Sequence, residues 1–319
     1  GGAGSSSAGA VGGNVSLETN NSGTITFFTG ADVTTTGGAG DGTNNNGGNA
    51  GTVTLNTNTA IITLTDTTIN TSGGAAASGG TQGAGGTITI SDPLVISTNA
   101  VTLNTGATAG DVTISSTING STDLDITSGT GDVAIQGIIG GTAALSTLDI
   151  NASTGDGDIE VTDIGDGTPN PAITGLTTLG NSSTGTLTLD GSNYDFGAGV
   201  TFGSATYTQN AGTGVFDIEN GPVSFLGNVV TNGAFSVDTN GGDITVSGNV
   251  SATNTSDTFS LSDGSGSGTI TIGGTISGVK SVSLTGDTEI KLGGDITTSN
   301  AAGGAVTLTG PVTLEADVI

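Results

Sequence analysis

The sequence predicts an all-β chain wound as a parallel β-helix, a β-solenoid of about a dozen three-strand coils. Three observations carry that expectation. Short runs of the form x-U-x-U, with U apolar, alternate as strands do, for example VTLNT, GTITI and FSLS. Those runs recur at a nearly constant interval, the mark of a repeat architecture. Glycine, Asn and Asp fill the spaces between them, where corners need residues that accept positive φ.

One series of strands begins at Val223, Ile244, Ile270, Ile290 and Val312, with spacings of 21, 26, 20 and 22 residues. A second series begins at Phe235, Phe259, Val282 and Val306, with spacings of 24, 23 and 24. A third, shorter strand follows each member of the first, at Val229, Val250, Ile276 and Ile296. Three strands per repeat describe one coil. Each strand pairs with its equivalents about 4.8 Å above and below, and alternate side chains fill a narrow core.

The rhythm continues upstream, with Val112, Val133 and Ile159 assigned to the first series and Leu124 and Leu148 to the second. Between Ile159 and Val200 the interval widens to 41 residues, and Asp163–Thr174, with Pro169 and Pro171, reads as a loop thrown out of the stack. Near the N-terminus, Val15, Val53 and Ile88 are separated by 38 and 35 residues, the extra length being Gly/Ala/Asn-rich. The expected organisation is one solenoid segment over 1–319. It has long Gly-rich coils over 1–110 and shorter regular coils over 111–319, with a protruding loop near 163–174. Stacked antiparallel sandwich domains are the competing fold. They would show Pro/Gly punctuation between units of roughly 100 residues, and no such boundary is seen.

Composition narrows the function. The formal net charge is −26, from 28 acidic residues against Lys280 and Lys291 alone. Such a chain cannot neutralise phosphates, so nucleic acid and anionic membrane surfaces are excluded as electrostatic partners. No apolar run approaches the roughly 20 residues that a membrane-spanning helix needs. With no Cys, there is neither a disulfide framework nor a thiolate metal site.

Residues 118–154, INGSTDLDITSGTGDVAIQGIIGGTAALSTLDINAST, resemble repeats of filamentous-haemagglutinin-like exoproteins. The phrase around Thr71–Ile90, repeated at Asp295–Leu308, is similar too. The resemblance implies a large bacterial surface or secreted protein whose body is a right-handed parallel β-helix, often exported by two-partner secretion. The expected function is a structural or adhesive fibre with no enzymatic activity, other cell surfaces or glycans being its further partners. The family's N-terminal secretion domain has no recognisable counterpart here.

Candidate sites are few. Asp156, Asp158, Asp163 and Asp166 flank the expected loop, and paired carboxylates serve glycoside hydrolysis or weak calcium binding. Turn-forming Asp residues, bonded to their own backbone, are the structural reading of the same four. No catalytic residue and no cofactor is expected, calcium being the weak candidate. Lys280 and Lys291 read as solvated strand positions. Tyr194, Phe196, Phe202 and Tyr207 read as core filling in preference to a sugar platform. The two competing functions are a polysaccharide-active β-helix enzyme and a Thr-faced ice-binding solenoid. Both ends read as cuts through a longer polypeptide. Joined end to start they make an acceptable coil, so further copies stacked head to tail are the expected partners.

Overall fold

The computed structural model describes residues 7–20, 23–166, 171–210, 212–264, 266–299 and 302–317. The chain is all-β, without a helix among the described residues, and its strands stack in parallel as a β-solenoid. It forms two compact units: Gly1–Gly137 with Asp149–Asp158, and Ile138–Leu148 with Ile159–Ile319.

In the first unit one face carries Val15–Glu18, Val53–Asn56, Ile88–Ile90, Val112–Ile114 and Val133–Ile135. Ile25–Phe27, Ile62–Thr65, Leu94–Ser97 and Ile118–Gly120 form another, and Val33–Thr34, Thr68–Asn70, Val101–Asn104 and Leu124–Thr127 the last. Like residues stack on like. Val53 lies on Ile88, Ile88 on Val112 and Val112 on Val133, and all four are at most 1% exposed. Each such side chain contributes about 1.5–3 kcal/mol by leaving water.

In the second unit the face of Val223–Phe225, Ile244–Val246 and Thr269–Ile272 alternates inward Val, Phe and Ile with outward Ser and Thr, as the two-residue period requires. Ile159 does not belong to this face. It stacks on Leu187, Leu187 on Tyr207 and Tyr207 on Val229, which puts it in the third series. The 41-residue interval that concealed this holds three strands, Thr177–Gly180, Thr186–Leu189 and Asn193–Phe196. Thr177, Thr186 and Asn193 lead these strands, and Thr177–Gly180 carries Leu179 as its one large apolar residue, so the apolar alternation is diluted.

The loop is also narrower than expected. Ile164 and Ile173 are fully buried and form bridges, Ile139 with Ile164 and Leu145 with Ile173. Pro169 lies outside the described residues. Complete three-strand coils number four in the first unit and six in the second, among the described residues. Around Ile139 and Ile164 one face is reduced to single bridges.

The long excursions of the first unit are ordered by a different rule. Gly9, Gly12 and Val15 donate their amides to Asn46, Asn49 and Thr52 at 2.8 Å, and Gly47, Ala50 and Val53 donate to Thr81, Ala84 and Thr87 at 2.9 Å. The period is three residues, which is that of a polyproline-II helix and not of a strand. These legs pack closely enough that a Cβ on Gly47 would lie 1.8 Å from the Gly74 carbonyl oxygen. One on Gly48 would lie 1.9 Å from that of Ala10. The glycines expected at corners are, in this stretch, packing contacts between extended legs. A hydroxyl closes the neck of each excursion: Thr35 donates to Gly51 O at 2.8 Å, Thr71 to Gly86 O at 2.6 Å, Thr105 to Gly110 O at 2.6 Å and Ser128 to Gly131 O at 2.7 Å. The segments so closed span 16, 15, 5 and 3 residues, so one clamp holds the coil while the excursion varies in length.

Candidate functional site

The four aspartates singled out in the sequence are divided between the two units. Asp156 and Asp158 belong to the first unit, Asp163 and Asp166 to the second. Asp163 Oδ1 accepts the amides of Ser192 at 2.7 Å and Asn193 at 3.1 Å, which makes it the cap of the turn before Asn193–Phe196. The amide of Asp158 donates to Asp132 Oδ1 at 2.9 Å. Among the described residues, no group of three or more His, Cys, Asp or Glu side chains is arranged to hold a metal ion.

Tyr194, Phe196, Phe202 and Tyr207 are core residues, each at most 1% exposed. They belong to an aromatic column that follows the coil register. Tyr194 stacks on Phe216 at 4.6 Å between ring centroids, Phe202 on Phe225 at 4.7 Å and Phe235 on Phe259 at 5.3 Å. Each is a register pair of adjacent coils. Lys291 lies outward between Thr271 and Thr313 and pairs with Glu289 at 3.5 Å.

The acidic groups that do come together were not singled out in the sequence. Asp195, Asp217 and Asp238 occupy one outward row of the second unit, in register on successive coils. Rung spacing places such side chains about 4.8 Å apart, close enough for mutual repulsion. Partial burial, and then the charges of Asp217, Glu219 and Asp166, push the Asp195 carboxyl up to about 6. Glu160 shares a hydrogen bond with Asp190, which with partial burial raises its pKa above the ordinary carboxylate range. In the first unit, burial together with the charges of Asp149 and Asp123 raises Asp125. Asp125 and Asp149 line a groove of about 320 Å³ with Thr102, Thr127 and Ser153. Sequence spacing gave only a weak signal for these rows, since Asp195, Asp217 and Asp238 are 22 and 21 residues apart, the coil length itself. The arrangement supplies acceptors and negative potential, and it draws cations and repels anions.

No family model, curated protein or solved structure matches this chain.

Proposed function

We propose that this chain is a non-enzymatic structural or adhesive rod segment of a secreted protein displayed on a bacterial surface, of the filamentous-haemagglutinin-like kind. One observation supports the reading above the rest: within each unit, strand after strand repeats the same inward and outward register. Conserving that register over many coils serves length and rigidity. Repeat stacking makes stability a sum of coil and neighbour terms, so such a body extends without a larger core.

The partner we propose is a further coil of the same design, from a neighbouring repeat or a second copy stacked head to tail. Within each unit the strands pair in parallel with their equivalents on the next coil, and a coil of the same design would continue that pairing.

Electron microscopy of cells carrying the native full-length protein, and of a deletion strain, tests the proposal. The expected result is surface rods or filaments of uniform width that vanish on deletion, with reduced cell–cell contact. A native protein that remains in the cell interior, or that degrades a polysaccharide on its own, overturns it.

A further inference from the structure

We propose that Asn220–Gly221 and Asn240–Gly241 are sites of spontaneous deamidation in the folded protein, and that the fold shields the three other Asn-Gly pairs. The chain offers oxidation no Cys, Met or Trp, so its labile covalent chemistry lies elsewhere. It contains five Asn-Gly pairs, at Asn46, Asn119, Asn220, Asn232 and Asn240. Glycine in second position has no Cβ to hinder approach of its nitrogen to the Asn side chain.

The reaction needs a mobile carboxamide and a free following amide. Asn46 has neither, because its Oδ1 accepts the Thr81 amide at 3.0 Å and the Gly47 amide donates to Thr81 O at 2.9 Å. Asn119 lies within the paired strand Ile118–Gly120, with Gly120 buried against Ile96. The Asn232 carboxamide is held at both ends, donating to Asn210 O at 3.2 Å and accepting from Asn254 Nδ2 at 2.9 Å.

The remaining two sit on exposed corners. Asn220 follows the strand Thr213–Ile218, and its carboxamide has no hydrogen-bond partner among the described residues. Asn240 follows Ala234–Asp238 and makes one long contact, from Nδ2 to Glu219 O at 3.3 Å. Neither the Gly221 nor the Gly241 amide has a partner among the described residues.

In the reaction the glycine nitrogen bonds to the Asn Cγ, the Cγ–Nδ2 bond breaks, and ammonia leaves with the amide proton. Water then opens either carbonyl of the cyclic imide, which gives aspartate or isoaspartate. Each event adds a carboxylate beside Asp217, Glu219 and Asp238. Isoaspartate also lengthens the backbone at a corner where a Cβ on Gly242 would already lie 1.9 Å from Gly221 O.

The test is to age the folded protein in mildly alkaline buffer and quantify, by peptide mass spectrometry, conversion at all five pairs. A urea-unfolded sample is aged alongside. In the folded chain Asn220 and Asn240 are expected to convert at least about tenfold faster than the other three, which must first open locally. In the unfolded chain the five rates should converge. Asn220→Gln with Asn240→Gln should abolish the acidic species that appears on ion exchange. Uniform rates in the folded chain, or fastest conversion at Asn46, Asn119 or Asn232, overturn the proposal.

Discussion

Asp158 exchanges two hydrogen bonds, in opposite directions, with the Asp132–Val133 pair of the adjacent coil. Asp132 Oδ1 accepts the Asp158 amide at 2.9 Å, and the Asp158 carbonyl accepts the Val133 amide at 2.9 Å. The same clasp joins Asn14 to Thr52, Asp111 to Asp132, Asn228 to Asn249 and Asn249 to Thr275. It extends the ladder by one bond beyond the strand and requires only an acceptor oxygen. Asp132→Asn should therefore leave thermal stability nearly unchanged, whereas Asp132→Ala should cost about 1 kcal/mol. Equal unfolding midpoints for wild type and Asp132→Ala would show that the clasp is decoration.

Inward and outward neighbours should respond unequally to charge. Ile270 is fully buried, and Ile270→Asp places an unpaired carboxylate in an apolar core at a cost of several kcal/mol. Thr271 faces outward beside Thr245 and Lys291, so Thr271→Asp should be mild. Calorimetric unfolding of the two variants decides it, and similar losses would refute the face assignment.

The glycine-rich legs should not tolerate a methyl group at their contacts. Gly47→Ala would drive a Cβ against the Gly74 carbonyl, a strain of about 1–3 kcal/mol by analogy with overpacked cores. A Cβ on Gly13 meets nothing within 4 Å, which makes Gly13→Ala the control. Protease sensitivity of the 35–86 region should rise in the first variant only.

Tyr207 is 1% exposed, and its hydroxyl has no hydrogen-bond partner among the described residues. An unpaired buried hydroxyl costs about 1–3 kcal/mol, so Tyr207→Phe should raise the unfolding temperature. A lower midpoint would mean that the hydroxyl is satisfied in solution.

Two carboxylates set opposite pH trends. Burial pushes Asp92 up, but its oxygens accept the amides of Thr57 at 2.6 Å, Asn58 at 3.1 Å and Thr59 at 2.8 Å, and together these bonds hold it below the ordinary carboxylate range. Its contribution is complete at neutral pH and is lost as pH falls through and below that range. Asp195, pushed up to about 6, binds its proton more tightly folded than unfolded. Acidification from neutral through about 6 therefore stabilises the second unit, and Asp195→Asn should remove that gain. A midpoint that falls steadily from neutral pH downward in the wild type would contradict the Asp195 assignment.

The alternation and spacing of apolar residues by themselves determined the strands at Ile244, Ile270 and Val282, their inward faces and their coil partners. A parallel stack buries side chains at period two and repeats at coil length, so both periods are written directly in the sequence. Only the tertiary structure decided the rest. The strands Thr177–Gly180 and Asn193–Phe196 exist because the paired strands Val200–Gly203 and Thr213–Ile218 supply the ladder that their own residues do not announce. The three-residue legs around Gly47 and Gly74 order because adjacent excursions exchange hydrogen bonds, which composition cannot distinguish from flexible linker. Asp195, Asp217 and Asp238 became one row only when the coils stacked, since residues about one coil apart meet through register and not through sequence proximity.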